Sequence, residues 1–313
     1  MTLAKGGFMI LQHTLVLSLG LALSTAAANA NPVVYVIGDS GQFGTVNLST
    51  GSFAPIGPGV SVGTGGLVPG PGGSLLSLGF NGDLNSINPT TGVLSVVGAT
   101  GLGDCSFPTS PCGLNSANIL GKVGSTVYAT DLANNLYSVN SSTGAAKLIG
   151  ATGIPALPFI PHATVPGDPD GSFYIYDESL FDYAGKLYAN FDAGIFDPTT
   201  FTPTPLIAPT LYQIDTLTGL ATTIAPTAFG LGSITDVDGT LYAFDLPLGS
   251  VVTLNLADGS TSYVSDTDPS AGLVGGSTAA SPTPEPNSLV LVGSGLAVIA
   301  AAVRRRYVGL GAV

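Results

Sequence analysis

The chain has 313 residues, 45% of them hydrophobic and only 8% charged, where an average soluble domain is about 25% charged. From residue 31 to residue 303 it carries three lysines against all 19 acidic residues, a formal charge of −16. A field of that sign repels phosphate backbones and excludes nucleic acid as a partner.

The N-terminus places Lys5 before an apolar run, Leu15–Leu23, and then Ala28-Asn29-Ala30. This is the charged, apolar and small-residue order of a secretory signal. The run is too short to span a bilayer, which needs roughly 20 apolar residues. Residues 1–30 therefore read as a signal helix. Signal peptidase is expected to recognise Ala28 and Ala30 and to cut after Ala30.

Residues 31–277 repeat themselves. Each copy has an apolar strand, often with Tyr and ending near Asp, then an alternating strand, then a turn that ends in Gly. The copies are Val34–Ile37, Thr45–Leu48 and Thr50-Gly51; Leu75–Leu78, Leu84–Asn88 and Thr91-Gly92; Val127–Asp131, Leu136–Asn140 and Thr143-Gly144; Leu187–Ala189, Leu211–Asp215 and Thr218-Gly219; and Leu241–Asp245, Val251–Asn255 and Asp258-Gly259. The turn glycines are spaced by 41, 52, 75 and 40 residues. The shorter spacings suit a four-stranded propeller blade of roughly 40–50 residues. Glycine suits these turns because tight hairpins demand positive φ.

In the fifth copy a hairpin precedes the pattern, Ser233–Val237, Asp238-Gly239 and Thr240–Phe244, which makes four strands. The first copy lacks that leading strand. The segment Ala271–Gly275 resembles Phe229–Gly232 and is expected to complete the first blade, closing an edge that would otherwise pair with other chains. The predicted fold is all-β and β-propeller-like, with about five four-stranded blades. An open β-sandwich or a β-solenoid is the alternative.

Within this span Cys105 and Cys112 are the only cysteines, and in an exported chain they read as a disulfide. Asp168, Asp170, Asp177, Glu178 and Asp182 form the densest acidic cluster. Turn chemistry accounts for Asp170-Gly171. A weaker reading makes Asp168, Asp170, Asp177 and Glu178 calcium ligands, although their spacing is not that of an EF-hand. His162 is the one histidine beyond the leader, and no G-x-S-x-G serine elbow accompanies it. No phosphate loop or dinucleotide fingerprint appears. No catalytic or cofactor-binding residue is therefore assigned, and a non-enzyme is expected. The insertion Ala193–Pro209, with Phe196, Phe201, Pro203 and Pro205, reads as a long loop of the kind that carries binding.

A Pro-rich linker, residues 278–287, leads into Ser288–Val303, which is uncharged and mostly apolar, and then Arg304, Arg305 and Arg306 within the tail 304–313. A helix of those 16 residues is about 24 Å long, short for a bilayer core of roughly 30 Å. The arginines would hold its end at the cytoplasmic face. Pro284-Glu285-Pro286, the apolar helix and the arginines together resemble the PEP-CTERM sorting signal. The resemblance covers only about the last 30 residues.

That resemblance implies recognition by an exosortase, after initial anchorage in the inner membrane by the C-terminal transmembrane helix. It also implies a destination in the cell envelope, at the cell surface or outside the cell. The expected role is non-enzymatic binding or scaffolding, to exopolysaccharide matrix or to a surface protein. A propeller lyase or hydrolase and a calcium-stabilised adhesion module are the alternatives.

Overall fold

The computed structural model describes residues 32–38, 41–60, 65–79, 81–103, 117–156, 173–197, 199, 202–228, 230–245, 248–268 and 278–280. Among these residues twenty strands form five antiparallel four-stranded sheets. The first blade takes β1 (Val33–Ile37), β2 (Phe43–Asn47) and β3 (Phe53–Pro55). The second is β4 (Gly65–Pro69), β5 (Leu75–Leu78), β6 (Asp83–Ile87) and β7 (Leu94–Ala99). The third is β8 (Ala117–Val123), β9 (Thr126–Asp131), β10 (Asn135–Val139) and β11 (Ala146–Ala151). The fourth is β12 (Phe173–Tyr183), β13 (Lys186–Asp197), β14 (Thr202–Ile214) and β15 (Ala221–Pro226). The fifth is β16 (Leu231–Val237), β17 (Thr240–Asp245), β18 (Ser250–Leu254) and β19 (Thr261–Asp266). The last strand, β20 (Thr278–Ala280), returns to the first blade and pairs with β1.

The innermost strands β20, β4, β8, β12 and β16 touch one another in that cyclic order, so the ring is closed. Closure by a strand from the far end of the chain is what the missing first strand requires. The closing strand is Thr278–Ala280. The segment expected for this role, Ala271–Gly275, lies outside the described residues, and the propeller reaches into the first residues assigned to the linker.

Each blade interface has its own core. Ile37, Phe43, Leu67 and Leu75 join blades one and two. Leu76, Leu84, Leu120 and Val127 join two and three. Leu136, Leu180, Leu187 and Phe191 join three and four. Tyr188, Leu211, Leu231 and Leu241 join four and five, and Phe244, Val251, Val34 and Val46 close five onto one. Consecutive residues such as Leu75 and Leu76 enter different cores because strand side chains alternate in direction. Strands buried on both faces read as nearly continuous apolar runs, which is the pattern of Leu75–Leu78.

The turn between third and fourth strands is built alike five times. Backbone N–H of Gly51, Gly92, Gly144, Gly219 and Gly259 donates to the carbonyl of Asn47, Asn88, Asn140, Asp215 and Asn255, each at 2.8 Å. The side chain of that Asn or Asp accepts a further N–H two residues on, as Asn140 does from Ser142 at 2.9 Å and Asp215 from Leu217 at 2.8 Å. All five glycines have φ between 68° and 84°. In four blades the outermost strand pair slips by one residue, at Val97, Ile149, Ile224 and Val264. Each of these residues packs into an interface core. A bulge of this kind bends and twists an edge strand, which discourages edge-to-edge pairing.

Within the insertion Ala193–Pro209, residues 193–197 and 202–209 are strand rather than loop. They extend the β13–β14 hairpin, with Phe196 opposite Pro203 in register. β12 lengthens beside it, Phe173 pairing with Phe196. Pro203, Pro205 and Pro209 give the extension the composition of a loop, because Pro argues against a central strand. Register shifts near Ala193 accommodate the irregularity.

Candidate functional site: a buried polar seam around the fourth blade

Apolar packing gives way to polar contacts at the end of β9 and midway along β12 and β13. Thr130 and Asp131 end β9, each 1% exposed. The Asp131 carboxylate closes the following turn. Its Oδ1 accepts the N–H of Ala133 at 3.0 Å and of Asn135 at 2.8 Å. Its Oδ2 accepts Asn135 Nδ2 and the Tyr137 hydroxyl, both at 2.9 Å. Burial, and then the bond and charge of Asp131, push the Tyr137 phenol up to about 12.

Glu178 on β12 enters the same interface from the neighbouring blade. Thr130 Oγ1 donates to Glu178 Oε1 at 3.1 Å. Burial pushes the Glu178 carboxyl up to about 8; the Thr130 bond opposes the shift and the negative charge of Asp131 adds to it. Glu178 is therefore mostly protonated at neutral pH.

The other face of the fourth blade is tied to the fifth. Asn190 and Asp192 on β13 are both 0% exposed. Asn190 Nδ2 donates to the Leu231 carbonyl at 3.4 Å, and Asn190 Oδ1 accepts the Thr227 hydroxyl at 2.7 Å. Asp192 Oδ2 accepts the Gly230 N–H at 2.7 Å. The polar groups of the fourth blade thus bind both neighbours at the level where its long arm begins.

Two carboxylates with divergent environments are a known acid–base arrangement. Here, however, both Asp131 oxygens are held by donors of its own blade, and Glu178 is buried against Thr130. The arrangement fixes blade positions. Sequence reasoning missed it, although Asp131 and Asp245 stand at the same repeat position. The fourth copy puts Phe191 there and Asp192 next, a break in pattern that marks the site.

The other expected residues fall as follows. Asp177 lies in β12 opposite Asp192 in register. Asp182 accepts the Gly185 N–H at 3.0 Å, which is turn chemistry. Asp168, Asp170, His162, Cys105, Cys112, Ala28 and Ala30 lie outside the described residues, as do Pro284, Glu285, Pro286 and Arg304 to Arg306. Among the described residues no three His, Cys, Asp or Glu side chains converge. Among them too, no helix is long and apolar enough to cross a membrane; the expected C-terminal helix falls outside that set. A groove of about 490 Å³ lies on the second blade, lined by the loop at Gly72–Ser74, by the turn residues Asn88, Pro89 and Thr91, and by Ser86 and Ser95.

Five four-stranded antiparallel sheets, arranged in a ring and closed by pairing the last strand with the first, make this a five-bladed β-propeller. Residues 282–306 match the PEP-CTERM protein-sorting motif. The motif implies an exported protein that an exosortase sorts to the cell envelope or surface.

No curated protein matches the chain. Among solved structures, a nidogen/laminin complex is similar at 12% identity and a TM-score of 0.45, covering 81% of this chain and 99% of that one. The PQQ-bound aldose sugar dehydrogenase of Streptomyces coelicolor is similar at 13% identity and a TM-score of 0.37, covering 66% and 82%. Glutaminyl cyclase of Myxococcus xanthus is similar at 14% identity and a TM-score of 0.31, covering 75% of each chain. At these scores none of the three bears on function.

Proposed function

We propose that the exported propeller is a non-enzymatic binding or scaffolding module that associates with extracellular polysaccharide at the cell surface. The observation that supports this is how eight acidic side chains among the described residues are used. Asp131, Asp182, Asp215, Asp236, Asp245 and Asp258 each accept backbone N–H groups of their own turns. Asp192 and Glu178 are bonded across blade interfaces. Acid–base catalysis needs a carboxyl within hydrogen-bond reach of substrate, and these groups serve the scaffold instead. The polysaccharide association rests on the sorting motif, whose family resemblance implies matrix-forming bacteria.

The test incubates the purified exported protein with a glycan array and with soluble extracellular polysaccharide. Retention of glycan with no change in polymer length supports the reading. Shortening of the polymer would make the protein an enzyme. Absence of any retention removes the polysaccharide partner.

A further inference from the structure

Both ends of the propeller leave the ring at one place. β20 ends at Ala280, opposite Tyr35 near the start of β1. In the third, fourth and fifth blades that place is taken by the hairpin between first and second strands, Gly124-Ser125, Ala184-Gly185 and Asp238-Gly239. Blade one has the two chain ends instead.

The innermost strands run parallel and level around the ring. Lys122 Nζ donates to the Pro69 carbonyl of the preceding blade at 2.6 Å. Gly66 lies against Leu120, and Gly121 against Leu180. These hairpins therefore share one face, and the chain leaves that face close to the ring axis. The arm of the fourth blade projects from the opposite face.

Residues 281–287 separate the closing strand from the apolar segment. Fully extended they reach about 25 Å. β13 alone, running from the hairpin face to the arm, is about 36 Å long at roughly 3.3 Å per residue. The tether is too short to pass the height of the fourth blade. We infer that the propeller is held with its hairpin face against the membrane, and that the arm face is the surface presented outward to partners while the chain is anchored. This rests on the reading of 288–303 as a membrane-embedded segment.

The test uses the full chain in phosphatidylcholine–phosphatidylglycerol vesicles that carry a nitroxide on some headgroups. A fluorescent amino acid replaces Ser125, on the hairpin face, or Thr199, at the arm tip. Quenching is expected to be several-fold stronger at Ser125. A flexible Gly-Ser spacer of about ten residues between Ser281 and Pro282 is expected to erase that difference. Equal quenching without the spacer, or stronger quenching at Thr199, overturns the inference. A chain that fails to float with the vesicles removes the anchorage itself, and the inference with it; flotation is read separately from quenching.

Discussion

Gly219, in the outer turn of the fourth blade, rests on the backbone of Gly150 in the outermost strand of the third. The same contact recurs around the ring: Gly144 on Gly98, Gly92 on Ile56, Gly51 on Asp266 and Gly259 on Pro226. Each turn glycine therefore answers two demands, a positive φ and a place where no Cβ fits.

These two demands can be separated. Gly124→Ala meets only positive φ, since nothing lies within 4 Å of the added carbon, and is expected to cost about 1 kcal/mol. Gly144→Ala also drives a methyl group into the Gly98 backbone and should cost about 3 kcal/mol or more. Urea denaturation midpoints compare the two. Equal losses would mean that the interface relaxes freely.

Glu178 makes stability depend on pH. Its folded value, about 8, lies above its ordinary 4.5, so the folded state holds a proton that the unfolded state has released. Stability is then full below about pH 4.5, declines as pH rises to about 8, and levels off beyond. The slope from this group is at most about 1.4 kcal/mol per pH unit. Glu178→Gln keeps the bond from Thr130 and should flatten the profile between pH 5 and 8. Chemical denaturation across that range measures it, and an unchanged slope would show that another group carries the dependence.

Replacing Asp131 strands several donors at once. Asp131→Ala leaves the N–H groups of Ala133 and Asn135 and the hydroxyl of Tyr137 without this acceptor. The expected loss is about 2–4 kcal/mol. The Tyr137 phenol should also fall from about 12 towards 10, which ultraviolet titration of the tyrosines reads directly. A Tyr137→Phe control identifies its share of the titration.

The sequence made the ring legible and left its seams obscure. Repeated turns at Asn140–Gly144 and Asp215–Gly219 have a local cause, so spacing alone revealed blades. Both-face burial was legible as well, in runs such as Leu75–Leu78. The arm was not, because Pro203 and Pro205 look like loop when register is unknown. Nor was the polar seam: Thr130 and Glu178 are 48 residues apart, and only the packing of two blades brings them together. The closing strand Thr278–Ala280 is not legible either, since three small residues carry little pattern.

Ring closure gives a further prediction. A chain ending after Gly276 lacks β20 and exposes the edge of β1. Its unfolding midpoint should fall, and it should associate with rising concentration, as unpaired edges do. A chain ending after Ser281 keeps the strand and should stay as stable as the full propeller. Thermal melts and size-exclusion chromatography compare them; identical behaviour of the two truncations would show that β20 contributes nothing to closure.

Delivery is tested most directly by following the chain in paired host strains, with and without an exosortase, through antibodies to the propeller and to a tag after Val313. With the enzyme, the propeller is expected at the surface or in the medium, separated from the tag. Without it, or with Glu285→Ala, propeller and tag should stay together in the inner-membrane fraction. Cytoplasmic retention of the propeller, or the same distribution in both strains, would contradict the account.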